Sequence, residues 1–234
     1  RKGQGLQSVT PNSDVALVGD EPLLMAQKCK VPIMVGTNRV AAAQALLEQF
    51  PSVNVIVCDD GLQHLSLQRD IEICVMDAAG LGNGHLLPAG PLREPWPRKV
   101  DLLLHTQKRT LSEGYASTRQ IIQAVNQQGQ NLDLSQLAHQ AVEVVCGIAK
   151  PQVFVDMLEQ QQIRVERLST LPDHDDFSEW RPLVPHLPLL CTEKDAVKLW
   201  TQQPQAWAVQ LEFQPENAFW VDFDKLMKAR HRYH

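Results

Sequence analysis

An apolar run, Val55-Ile56-Val57-Cys58, ends in two adjacent carboxylates, Asp59 and Asp60, followed by Gly61-Leu62-Gln63-His64. In doubly wound sheets ligands bind outside the carboxyl ends of the strands, and a carboxylate there is placed to hold Mg2+ on a nucleotide. The same residues also suit a plain Asp-Gly turn that closes a strand. Farther on, Leu171-Pro172-Asp173-His174-Asp175-Asp176-Phe177 sets a histidine among carboxylates ahead of an expected helix. A histidine beside a carboxylate can relay or orient a proton, whereas an acidic helix start needs no function because it complements the helix dipole. Gly19-Asp20-Glu21-Pro22 precedes an apolar helical run and reads first as a helix start, with Asp20 the N-cap and Glu21 and Pro22 in the first turn.

A Gly- and Pro-marked loop follows, Gly82-Asn83-Gly84-His85-Leu86-Leu87-Pro88-Ala89-Gly90-Pro91-Leu92-Arg93-Glu94-Pro95. It is too apolar for a solvated linker, and loops of this kind usually bind something. Arg93 suits a phosphate, and Trp96 with Arg98 and Lys99 combines an interfacial aromatic with cations, as at a membrane surface. A rigid surface turn is the alternative. Gly147-Ile148-Ala149-Lys150-Pro151 follows a strand and opens a helix at Pro151, which could take an anion or simply connect the two elements. Thr192-Glu193-Lys194-Asp195 resembles a capping box and reads mainly as structure. His231 and His234 read as a solvated tail, and no metal-ligand spacing supports a zinc site.

The elements that must position these residues alternate. Strands are expected at Val31–Val35, Val53–Cys58, Ile71–Met76, Val100–His105, Ala141–Cys146, Pro188–Cys191 and Ala206–Phe213. Val40, Ala43, Leu46 and Phe50 recur at helical spacing before Pro51, and Tyr115, Thr118, Ile122 and Val125 do much the same before Gly129. Apolar strands separated by helices predict an α/β fold, a mostly parallel sheet covered by helices on both faces. The Gln-rich stretch Gln123–Gln140 reads as a linker or insertion. It places a boundary near Leu137, with a larger domain over 1–137 and a smaller α/β domain over 138–234, a ligand being expected in a cleft between them.

The composition is that of an ordinary globular protein, 44% hydrophobic and 21% charged over 234 residues. No run approaches the ~18 apolar residues of a membrane span. A net charge of −5 argues against a broad nucleic-acid footprint and leaves room only for a local basic patch. The five cysteines are widely spaced without a C-x-x-C, as small buried hydrophobes of a reducing compartment would be. The chain begins at Arg1 without an initiator Met or a signal-peptide pattern, and an upstream segment is expected.

Together the segments Gly19 to Pro22, Arg39-Val40-Ala41-Ala42-Ala43, Asp59 to His64, Gly82 to Pro95, Gly147 to Pro151 and Thr192-Glu193-Lys194-Asp195-Ala196-Val197 occur in the order seen in one family. The chain resembles the tetraacyldisaccharide 4'-kinases, the lipid A 4'-kinases of Gram-negative bacteria, from Arg1 to about Leu199. The resemblance implies a P-loop kinase fold whose smaller C-terminal domain closes over the site. It also implies Mg2+-dependent transfer of phosphate from ATP to the 4'-hydroxyl of tetraacyldisaccharide 1-phosphate at the cytoplasmic face of the inner membrane, with no nucleic acid and no protein partner. By motif, Asp20 would be the base that accepts the hydroxyl proton, paired with His174. Asp59 and Asp60 would bind Mg2+ or its water shell, Glu21, Gln63 and His64 would line the site, and Arg93 would meet substrate or phosphate.

The family's phosphate loop, G-x-x-x-x-G-K-[ST], does not occur in these 234 residues, and neither does its hydrophobic membrane-anchoring helix. An N-terminally truncated kinase is therefore expected, one that binds ATP poorly and turns over negligibly by itself. The competing readings are a non-catalytic lipid- or ligand-binding module that has lost nucleotide chemistry and a Mg2+-dependent phosphohydrolase using Asp59 or Asp60. A mere binder has no need of Asp20, Asp59, Asp60 and His174 together, and the phosphohydrolase has no second matching motif.

Overall fold

A computed structural model describes residues 5–231 of the chain. In chain order the elements begin with β1 (Gln7–Val9), α1 (Val15–Val18), α2 (Asp20–Cys29), β2 (Ile33–Val35), α3 (Arg39–Gln49), β3 (Ile73–Met76) and β4 (Leu102–His105). Next come β5 (Ser117–Val125), β6 (Asn131–Leu132), a 3-10 turn (Leu134–Leu137), β7 (Ala141–Cys146), α4 (Pro151–Gln160) and β8 (Arg164–Thr170). The chain continues with β9 (Leu189–Thr192), α5 (Glu193–Leu199), β10 (Trp207–Pro215) and α6 (Asn217–His231).

The residues group into two compact units, neither continuous in sequence: 1–58 with 121–211, and 59–120 with 212–234. This division differs from the one expected at Leu137, which is a buried core residue of the first unit. The strands β5 and β10 each begin in one unit and end in the other.

The first unit is built on β7. All but the first residue of this strand are buried, as in a parallel strand covered on both faces. Because side chains alternate, Val142, Val144 and Cys146 pack with Phe154 and Leu158 of α4, while Val145 joins Cys191, Ala196 and Leu199 around α5. The sheet runs β6-β5-β10-β9-β7-β8, and β10, β9, β7 and β8 are parallel neighbours. β1 and β2 form a separate antiparallel pair under α2, and Val197 of α5 packs against the same cluster. In the second unit β3 lies parallel to β4, and α6 covers them through Phe219, Phe223 and Leu226.

Several helix ends follow their sequence signals. Asn38 Oδ1 accepts from the Ala41 amide at the start of α3, Pro151 occupies the first turn of α4, and Thr192 caps α5 through the Asp195 amide. Asp20 is not an N-cap: Gly19, at φ 93° and ψ 157°, takes that place and frees the Asp20 side chain.

Other expectations need correction. Residues 53–58 join no ladder among the described residues, and Val57 is 90% exposed. An apolar run becomes a strand only where a neighbour takes up its backbone hydrogen bonds. The helix expected over Tyr115–Val125 is the strand β5, since its β-branched Thr118, Ile121, Ile122 and Val125 suit a sheet and their helical spacing is coincidental. The Gln-rich stretch is no linker. It forms the hairpin of β5 and β6, whose turn is held by Asn126 Oδ1 accepting from the Gln128 and Gln130 amides. No helix follows Phe177; Asp175 and Asp176 instead cap the Phe177 and Ser178 amides in short turns. Of the cysteines, Cys146 and Cys191 are buried, Cys58 and Cys74 are half-buried, and Cys29 is exposed. His234 lies outside the described residues.

Candidate active site

The first unit brings together residues from the start of α2, the loop after β8 and the helix α5. Asp20 is 4% exposed, and its carboxylate receives His174 Nδ1 at 3.0 Å on Oδ2 and 3.1 Å on Oδ1. Lys198 Nζ donates to Oδ2 at 3.1 Å, and the Glu21 amide donates to Oδ1 at 3.0 Å. Burial pushes the Asp20 carboxyl up, but hydrogen bonds from His174 and Lys198, with their positive charge, outweigh it and hold the group below the ordinary aspartate range. The site thus contains a buried carboxylate whose charged form its neighbours favour, beside an imidazole.

His174 reaches Asp20 from a loop with two left-handed residues, His174 at φ 66° and Phe177 at φ 59°. Such a conformation is rare for a bulky residue, and it is over-determined here by Phe177, which is fully buried against the core around α5. Gly147 lets the loop approach: a Cβ at that position would stand 2.9 Å from Pro172 O and 3.7 Å from Phe177 Cζ. One turn before Lys198, Lys194 Nζ donates to Asp173 Oδ1 at 2.7 Å and lies 3.5 Å from Glu21 Oε1. Burial lowers the Lys194 ammonium, yet the carboxylates of Asp173, Asp20 and Glu21 leave it raised.

In the second unit Asp60, in a turn at φ 49°, accepts from Arg93 Nη1 at 2.5 Å. The Gln63 side chain bonds Glu94 at 2.9 Å, and Glu94 and Glu72 both receive Arg98 at 2.7 Å. Arg69 donates to the carbonyls of Gly61, Leu62 and His64, so this one guanidinium scaffolds the turn after the two aspartates. The Asp59 carboxylate is exposed. Among the described residues no group of three or more His, Cys, Asp or Glu is arranged to hold a metal ion. Mg2+ does not need one, because it keeps several waters and usually binds one or two protein carboxylates plus substrate phosphates. Asp59 and Asp60 are adjacent and exposed, as that mode needs, with Oδ1 of Asp60 held by Arg93.

The family model for tetraacyldisaccharide-1-P 4'-kinase matches residues 1–228. The chain belongs to this family. It is 48% identical to the tetraacyldisaccharide 4'-kinase of Acidovorax sp. (strain JS42) over 93% of its own length and 66% of that protein's. It is 44% identical to that of Delftia acidovorans over 99% of its own length and 70% of the relative's. The chain therefore spans about two-thirds of the length of these curated relatives. A crystal structure of the "apo" form of LpxK from Aquifex aeolicus in complex with ATP superposes with a TM-score of 0.81 at 27% identity, covering 98% of this chain and 76% of that one. The α/β architecture expected from the alternation of elements is thus the fold of a solved kinase of the family.

Against the residues expected from the motifs of these 4'-kinases, the structure joins Asp20 with His174 and places Glu21 beside Lys194. It joins Arg93 to Asp60 and brings Gln63 within reach of both Arg93 and Glu94. His64 contributes its backbone carbonyl to Arg69. Sequence reasoning missed Lys198. The available signal was the spacing of Lys194 and Lys198, four apart on a helix and so on one face, next to a capping box read only as structure.

Proposed function

We propose that the protein phosphorylates the 4'-hydroxyl of tetraacyldisaccharide 1-phosphate with ATP. The observation that carries this reading is the Asp20–His174 hydrogen bond, made between side chains 154 positions apart, within a chain of the 4'-kinase family. Phosphoryl transfer depends mostly on positioning and on neutralising phosphate charge, so the protein must hold a hydroxyl in line and take its proton late. Asp20 is the base in this scheme, and His174 shares the proton through the hydrogen bond between them. Asp59 and Asp60 would hold Mg2+, which when bound offsets negative charge on the nucleotide phosphates. Arg93 is the residue for an anionic group of nucleotide or lipid, and its guanidinium is half-exposed and already oriented by Asp60.

The lipid acceptor puts the reaction at a membrane, here assigned to the cytoplasmic face of the inner membrane. No helix of the described residues is long and apolar enough to cross one. A surface contact is supported by the exposed Leu86 and Leu87 in the loop that carries Arg93.

The test uses the full open reading frame that contains this chain, purified and given γ-labelled ATP, Mg2+ and tetraacyldisaccharide 1-phosphate. Label should appear in a lipid bisphosphate, and this product should be lost in His174→Ala. Label released only as inorganic phosphate would favour a phosphohydrolase, and no ATP turnover at all would favour a binding module.

A further inference from the structure

Lys198 stands out as a buried ammonium with a specific target. Its side chain is 8% exposed, its Nζ lies 3.1 Å from Asp20 Oδ2, and the Phe177 ring sits below it at 5.6 Å. Burying a cation is costly unless it is paired, and the carboxylate and the ring face supply the pairing. Lys194, on the same face of α5, is directed to Asp173 and Glu21, so the two lysines divide the acidic groups between them. The charged groups around Asp20 are then Glu21 on its own helix, Asp173 and His174 on the loop after β8, and Lys194 and Lys198 on α5.

An ionised carboxylate has about four acceptor sites. On Asp20 the Glu21 amide takes one at Oδ1, Lys198 takes one at Oδ2, and the single Nδ1 of His174 is shared between the two oxygens. Each oxygen thus has two donors. Without Lys198 Oδ2 would lose the donor it does not share, and the carboxylate would gain freedom to rotate about χ2, a broad torsion for aspartate.

We propose that Lys198 is a positioning residue for phosphoryl transfer: it pins Oδ2 of Asp20, so that the carboxylate keeps the orientation that receives His174. This rests on the kinase reading above. Lys198 acts through Asp20, the carboxylate that its ammonium bonds.

Two measurements test it, one independent of kinase activity. In the 234-residue chain, the Asp20 carboxyl is followed by carbon NMR against pH. Lys198→Gln keeps a hydrogen-bond donor without the charge, and the Asp20 midpoint should rise by about one pH unit, the scale on which a close opposite charge acts; Lys198→Arg should retain most of the wild-type value. In the enzyme from the full open reading frame, Lys198→Gln should lower kcat by at least about tenfold with the KM for ATP changed less than about twofold. The acid limb of kcat/KM should move to higher pH, and Lys198→Arg should move it back. An unmoved Asp20 midpoint would overturn the proposal. So would a moved midpoint with wild-type kcat and acid limb, or a loss confined to the yield of folded enzyme. A wild-type enzyme without kinase activity would sink the kinase reading instead, and the titration alone would then decide whether Lys198 sets the state of Asp20.

Discussion

Asp20 carries opposite electrostatic demands, since burial disfavours its charge while His174 and Lys198 favour it more strongly. Its pKa is lower folded than unfolded, so the stability it contributes is complete above the unfolded value of ~3.9 and is lost as pH falls through the folded value. At neutral pH Asp20→Asn should cost about 3 kcal/mol, because it strands the Lys198 ammonium in the interior. Urea unfolding of the two proteins from pH 7 to pH 2 checks this: the curves should converge on acidification, and a constant gap would contradict the assignment. Arg93 and Asp60 differ in kind, with side chains 57% and 63% exposed. Arg93→Ala should shift stability by less than about 1 kcal/mol. If Arg93 serves an anionic ligand, the same change will instead raise the KM for nucleotide or lipid, which steady-state kinetics reads directly.

Two tight approaches decide whether the elements deliver these side chains. The loop after β8 reaches Asp20 only because residue 147 has no side chain, with Pro172 O on one side and Asp195 Oδ1 3.4 Å away on the other. Gly147→Ala should displace that loop and destabilise the protein by about 1–3 kcal/mol, the usual cost of overpacking. The His174 ring resonances in proton NMR should report the move, and unchanged resonances would show that the loop is held some other way. The loop carrying Arg93 is tied by Asn83, which donates to Ala89 O and accepts from the His85 amide. A Cβ on Gly90 would stand 2.1 Å from Asn83 Oδ1 and 2.4 Å from His85 O. These ties hold an apolar Gly- and Pro-rich stretch in one conformation, whereas the pairing of Arg93 with Asp60 could not be read from spacing.

At the scale of the molecule, the sheet centred on β7 is the rigid frame, and order should fall away from it. Hydrogen exchange is expected to be slowest in β7 and β9, whose residues are almost all buried, and fast over residues 53–58, which join no ladder. Protection of 53–58 equal to β7 would show that this run has a sheet partner after all. The 234 residues contain no G-x-x-x-x-G-K-[ST] loop, so this chain by itself should bind ATP only weakly in calorimetry. Submicromolar ATP binding would mean that other backbone amides cradle the phosphates.

Local chemistry was legible from the sequence alone: the paired aspartates, the histidine among carboxylates, the Gly-Asp-Glu-Pro start of α2, the Pro151 start of α4, the capping box of α5, and the alternation that makes an α/β fold. Each depends on residues a few positions apart, where chain geometry leaves little freedom. What only the tertiary structure decided depends on who the neighbour is. Residues 53–58 have the side chains of a strand and no ladder, while Tyr115–Val125 has the spacing of a helix and lies in a sheet. Asp20 could have been an N-cap, until the fold set Gly19 in that place and brought His174 and Lys198 to its carboxylate. An ion pair across 178 positions leaves no periodicity in the chain, because its energy comes from burial and charge at a point where three distant segments meet.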